Sequence, residues 1–193
     1  MTGVQTCALP IFEKFREGRL ELSDYLVQYF RSTGENERAN LALERATSFD
    51  ATDAEPWLVI SNAKGQSDDM DAALEAAEKA LAADPENSRA KLRKAELLID
   101  LGTAQKDPAL VAEGREITEA ELASNPSSAA ASFVMGKVEL ADRDLDAAIG
   151  HIRTAIDGQP NWSQAHFLLG SVLLLNDESR RARASLARAV ELS

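Results

Sequence analysis

Small and apolar residues recur in this chain at a spacing of 34, and that period constrains the fold more than any other feature. Gly136 aligns with Gly170, Ala148 with Ala182, Ile152 with Leu186 and Ala155 with Ala189. Upstream, Ala73, Ala77, Ala80 and Pro85 fall on the same comb, and Trp57 takes the column that holds His166. Gly34, Ala39, Leu43 and Ala46 extend it, with Ala51 where a proline is expected. A fixed period of this length means that one small supersecondary unit has been copied. Five units follow, at 20–53, 54–87, 88–128, 129–162 and 163–193. The third carries seven extra residues, because Pro85 to Pro126 spans 41 where Pro126 to Pro160 spans 34.

Each unit reads as two amphipathic helices. Phe167, Leu168, Val172, Leu173 and Leu175 recur at three- and four-residue steps, the helical period. In the second helix of that unit, Ala182, Leu186 and Ala189 form one stripe. Alanine in such a stripe lets neighbouring backbones approach to the short end of the ~8–10 Å helix separation. Asp-Pro-Glu-Asn at 84–87 and Asn-Pro-Ser-Ser at 125–128 stop one helix and cap the next. Since a lone hairpin cannot bury its apolar face, the units must stack. The expected class is all-α.

The spacings Trp57…Ala73…Ala80…Pro85 and Gly136…Ala148…Ala155…Pro160 resemble the tetratricopeptide repeat motif, over residues 20–193. That resemblance implies a right-handed α-α superhelix of about five hairpins. Two residues depart from the motif in the third unit, where Glu121 replaces a small residue and Thr118 an apolar one. With the insertion, they put the packing around 103–121 in question. The repeat style of the third to fifth units also resembles repeat-rich lipoproteins of bacterial exopolysaccharide export, without a diagnostic motif.

Residues 1–11, MTGVQTCALPI, resemble a translated sequencing adapter, which leaves 12–193 as the repeat domain. The single cysteine, Cys7, lies in that segment, so the remainder has no thiol to form a disulfide. The chain reads as a fragment of a longer bacterial protein, and its compartment, cytoplasm or periplasm, stays open.

Composition narrows the partners. A net charge of −11, from 32 acidic and 21 basic side chains, opposes nucleic-acid binding, which needs a basic surface. No apolar run of the ~18 residues needed to span a bilayer occurs, so direct membrane insertion is not expected. Nor does the sequence call for a cofactor or a metal. Zinc wants three or four ligands, and the two histidines, His151 and His166, sit on different helix types with no carboxylate arranged around both. Asp142, Asp144 and Asp146 begin like a calcium loop, but Ala147 stands where the turn needs glycine and Arg153 where the bidentate glutamate belongs. They read instead as an acidic helix start, as does Ser67–Asp71. No phosphate-binding glycine loop or nucleophile elbow occurs, and the carboxylates alternate with Lys, Arg and Ala on solvated faces. Catalysis is not expected; a scaffold for protein or peptide partners is.

In the family resembled, the first helix of each hairpin lines the concave wall. By column, that wall takes Glu21, Asp24, Gln28 and Arg31, then Glu55, Leu58, Asn62 and Gln66. Arg89, Leu92, Glu96, Ile99 and Asp100 follow, then Phe133, Lys137 and Leu140, and finally Gln164, Phe167, Ser171 and Leu174. The wall turns from polar to apolar along the chain. Such a strip either receives a partner helix or extended segment, or packs internally or against further repeats. The carboxylate clamp of one subclass is not supported. Asn62, Arg89 and Arg93 are near matches, but Leu58 stands where the clamp has a lysine, and Ala130 and Val134 replace its later basic pair. Leu186, Val190 and Leu192 have no polar cap after them, so end-to-end self-association is a further expectation. The alternative roles are a regulatory or recognition arm of a larger enzyme, or an envelope or export assembly factor.

Overall fold

The computed structural model describes residues 53–193. They form eight α-helices and, among the described residues, no strand. The helices are α1 (Ala54–Gln66), α2 (Met70–Ala83), α3 (Ser88–Gln105), α4 (Pro108–Ser124), α5 (Ala129–Ala141), α6 (Leu145–Gly158), α7 (Ser163–Leu175) and α8 (Ser179–Glu191). The chain divides into two compact units, Met1–Asn87 and Ser88–Ser193. Helices α1 and α2 belong to the first, α3 to α8 to the second. The adapter-like segment, the first expected hairpin and its wall residues Glu21, Asp24, Gln28 and Arg31 lie outside the described residues.

Successive helices pair as hairpins: α1 with α2, α3 with α4, α5 with α6, and α7 with α8. Within the second unit, α4 also packs on α5, α6 on α7, and α3 on α5. The turns explain why the chain reverses where it does. Asp68, Lys106, Arg143 and Asp177 adopt left-handed conformations, with φ of 62°, 57°, 65° and 58°. The next residue then donates its N–H five residues back, as in Asp144 to Glu139 O at 2.9 Å and Glu178 to Leu173 O at 2.8 Å. This closure satisfies carbonyls that the ending helix leaves unpaired.

Short polar side chains start the following helices. The carboxylates of Asp53, Asp69, Asp107 and Asp144 accept from the N–H groups of Glu55, Ala72, Ala109 and Ala147, and the Ser128 hydroxyl accepts from Ala131. Asp69 and Asp144 therefore serve as helix caps, the use expected of the two acidic runs. Asp142 pairs with Arg115, and Asp146 accepts from Asn176 Nδ2 at 3.4 Å.

The insertion lengthens helices rather than loops. Helices α3 and α4 have 18 and 17 residues, against 13 and 14 in both neighbouring hairpins. The extra turns are covered, since Leu97, Leu98, Ile99, Leu101 and Gly102 are all buried. Thr118 is fully buried and donates its hydroxyl to Gly114 O at 2.7 Å, so it needs no partner beyond its own helix. Glu121 lies 3.6 Å from Lys91 Nζ on α3, a paired charge where the motif has a small residue. Residues 103–121 thus retain hairpin packing despite both departures.

The repeated small residues are the contact points. Ala73, Ala77, Ala80, Ala148, Ala155 and Ala182 have no exposed surface. A methyl at Gly136 would sit 2.6 Å from Ile152 Cγ1, and one at Gly170 the same distance from Leu186 Cγ. One core cluster joins Leu92, Ala95 and Ile99 of α3 to Phe133, Val134 and Val138 of α5; a second joins Ile149 and Ile152 of α6 to Leu169, Val172 and Leu173 of α7. In the first unit, Ser61 Oγ donates to Ala73 O at 2.8 Å and ties α1 to α2. Among the described residues no buried side-chain nitrogen or oxygen lacks a partner.

Candidate functional site

The expected wall residues divide by accessibility. Leu58 in the first unit is buried, at 2% exposure, and Asn62 on the same helix is exposed. In the second unit Leu92, Ile99 and Phe133 belong to the core cluster. Arg89, Phe167 and Leu174 are exposed, while Glu96, Lys137, Leu140 and Ser171 are half-buried. The apolar strip read from the sequence is therefore core over α3 and the start of α5, and open surface along α7.

Phe133 and Phe167 show the physical reason. They occupy one repeat column, 34 residues apart, yet Phe133 is 7% exposed and Phe167 61%. The Trp162 ring, at the start of the next hairpin, lies 4.5 Å from the Phe133 ring in a tilted arrangement. Trp162 is held there by its Nε1–H, which donates to Gln164 Oε1 at 2.7 Å. Nothing among the described residues covers Phe167 in that way. Leu140 and Leu174 form a second such pair: Leu140 packs against the cluster that includes α7, and Leu174 is 50% exposed. Between the two exposed side chains, Ser171 donates its hydroxyl to Phe167 O at 3.0 Å, so its oxygen can still accept from a partner.

Near the Phe133 ring, α3 and α5 bring four charges together. Lys137 Nζ lies 2.6 Å from Asp100 Oδ2 and 3.1 Å from Glu96 Oε1, and 6.0 Å from the centre of the Phe133 ring. Arg93 completes the group at 2.9 Å from Glu96 Oε2. Burial pushes the Glu96 carboxyl up, but Lys137 and Arg93 together outweigh it and hold the group below its ordinary value. Asp100 goes the other way: burial outweighs the pull of Lys137, the Glu96 charge adds to it, and the carboxyl is held above its ordinary value. The cluster thus offers fixed carboxylate oxygens on α3, next to Lys137 of α5. It has no reactive nucleophile and no open metal position.

The histidines are engaged separately. His151 Nδ1 is 2.8 Å from the Glu139 carboxylate, and His166 Nε2 is 3.0 Å from Pro160 O. Among the described residues no group of three or more His, Cys, Asp or Glu is arranged to hold a metal. No described helix is long and apolar enough to cross a membrane.

Family comparison agrees with this geometry. Models described as tetratricopeptide repeat match residues 66–106, 110–161 and 133–193. The chain belongs to the tetratricopeptide repeat family. Its helix pairs pack as in that family's solenoids, a fold that is typically a non-catalytic scaffold for protein interactions.

Solved structures of similar fold include a thermophilic tetratricopeptide protein from Thermus thermophilus. It has a TM-score of 0.75 and 18% identity, and the match covers 92% of this chain and 91% of that one. PilW, described as a widely conserved type IV pilus biogenesis factor, matches with a TM-score of 0.66 and 16% identity, covering 90% and 77%. MamA from Desulfovibrio magneticus matches with a TM-score of 0.56 and 22% identity, covering 90% and 94%. At these identities the likeness is one of fold. No curated protein matches the chain in sequence.

Two contributors were missed in the sequence. Trp162 packs on the Phe133 ring, yet it lies outside the motif columns. The arginines of α8 also lie outside the motif columns, although comparing α6 with α8 residue by residue singles them out.

Proposed function

We propose that this chain holds a partner polypeptide along α7 and the adjoining part of α5, with the partner's apolar side chains against Phe167, Leu174 and Leu140. The observation that carries the reading is the exposure of Phe167 and Leu174 on one helical stripe, whereas their counterparts one repeat earlier, Phe133 and Leu140, are buried and half-buried. Burying an exposed Phe or Leu stabilises by about 1.5–3 kcal/mol when complete, so this stripe favours an apolar or amphipathic segment. Ser171, Glu96, Asp100 and Lys137 supply oriented polar contacts at its edge. Leu92, Ile99 and Phe133 are core residues of the second unit rather than contacts for the partner, and Leu58 is buried in the first unit.

The test places a photo-reactive amino acid at Ser171 in the native host and identifies the cross-linked protein. Phe167→Asp with Leu174→Asp should abolish the adduct and leave far-UV circular dichroism and the melting temperature nearly unchanged, because both side chains are exposed. A loss of the cooperative melt would show that they are core, and the reading would fail. Phe133→Asp serves as the contrast. It places a charge in the core and should unfold the second unit.

A second reading makes the chain an assembly factor of an envelope or export machine. The likeness to PilW, whose description concerns type IV pilus biogenesis, is what favours it. A cross-linked partner from the envelope would support that role, and a soluble enzyme as partner would support a regulatory arm instead.

A further inference from the structure

The repeat register shows what the face of α8 is shaped to hold. In α6, Leu145, Ile149, Ile152 and Ile156 pack into the clusters that contain Leu168, Leu169, Val172 and Leu173 of α7. That row is the seat of the next hairpin's first helix. Moved on by 34 residues, the same row in α8 reads Ser179, Arg183, Leu186 and Val190. The backbone arrangement is kept: Gly170 meets Leu186 as Gly136 meets Ile152, and Asp177 turns the chain as Arg143 does.

The chemistry is not kept. Ile149, 5% exposed, gives way to the exposed Arg183, and Asp146 gives way to the exposed Arg180. Arg181 and Arg188 are paired, with Glu178 and Glu191, but neither Arg180 nor Arg183 has a hydrogen-bond or ion-pair partner among the described residues. Val190 is 75% exposed beside them.

We propose that α8 docks an acidic amphipathic helix of a partner protein, with carboxylates over Arg180 and Arg183 and an apolar edge on Leu186 and Val190. Charge complementarity selects this occupant. A helix of the composition of α7, SQAHFLLGSVLLL, has no acidic residue and would bury Arg183 without a counter-charge. A carboxylate at that position turns the same contact into a charge-assisted hydrogen bond. Large polyanions fit less well. The chain carries a net charge of −11, while α8, with four arginines against Glu191, is locally basic. A short acidic segment feels that patch within the ~10 Å reach of screened charge, while nucleic acid or an anionic bilayer also meets the acidic remainder. The proposal rests on other residues than the α7 stripe, so either can fail alone.

The test uses the whole chain and two labelled synthetic helices of about 15 residues. One carries a leucine stripe flanked by glutamates, and the other has every glutamate replaced by lysine. The acidic peptide should bind with a Kd below about 100 μM, and the lysine peptide at least about tenfold more weakly. Arg180→Glu with Arg183→Glu should reverse that preference. Both arginines are exposed and unpaired, so the double variant folds, which its circular dichroism checks. Val190→Asp should weaken the acidic peptide, by removing the apolar edge and adding a like charge. Failure of the acidic peptide to bind, or equal binding of the two peptides, overturns the proposal. So does tighter binding to single-stranded DNA or to phosphatidylglycerol vesicles, and so does sedimentation showing that α8 pairs with a second copy instead.

Discussion

Gly136 and Gly150 lie on adjacent helices of one hairpin, and alanine should act on them with opposite sign. Glycine inside a helix costs about 0.5–1 kcal/mol relative to alanine, because more backbone freedom is lost on folding. At Gly150 no heavy atom lies within 4 Å of the added methyl, so that gain is realised in full. At Gly136 the methyl would stand 2.6 Å from Ile152 Cγ1 and 3.4 Å from Ala148 O. Ile152 is fully buried and the clashing atom is near its stem, so it cannot swing away. Overpacking of this kind costs about 1–3 kcal/mol, which exceeds the propensity gain. Gly150→Ala should therefore raise the melting temperature, and Gly136→Ala should lower it. Each kcal/mol corresponds to about 2–4 °C for a chain of this length. Thermal and urea denaturation followed by circular dichroism would read both variants under one condition. An equal rise in the two would refute the claim that the repeated glycine column marks helix contact.

Arg143 holds a φ of 65° with a side chain that resists it, so Arg143→Gly should stabilise the hairpin by about 0.5–1 kcal/mol in urea denaturation. The paired carboxylates should separate in pH dependence. Glu96 is held below its ordinary value, so its stabilisation is present above the unfolded value of 4.5 and is lost as pH falls through the lower folded one. Glu96→Gln should thus destabilise at pH 7 and converge on the parent in strong acid. Asp100 is held above its ordinary value, so ionisation weakens the fold above that raised value, and the penalty is gone below the unfolded value of 3.8. Asp100→Asn should accordingly be more stable than the parent at pH 7, with the gap closing in acid. Melts from pH 3 to pH 7 would check both signs.

Much of the fold could be read along the chain because a repeat states its own packing rule several times. The alanine columns at 73, 77 and 80 and at 148 and 155 pointed to close helix crossings, and those residues are fully buried. The acidic runs pointed to helix starts, and Asp69 and Asp144 cap α2 and α6. These features are local: a cap bonds two or three residues away, and a stripe follows from one helix's period. The candidate wall was less legible. A column assigns a side chain to one face of its helix, but whether that face is open depends on what the next hairpin lays over it.

The sequence alone therefore determined the helical class, the hairpin order and the turns, since each rests on contacts within about one unit of chain. Only the tertiary structure decided that Phe133 is core and Phe167 is surface: Phe133 packs within the α3–α5 cluster with Trp162 against its ring, while Phe167 is 61% exposed. It also decided that the seven extra residues lengthen α3 and α4, and that Arg93, Glu96, Asp100 and Lys137 form one group. Exposure and charge pairing are properties of neighbours brought together from different repeats. A linear pattern does not specify them.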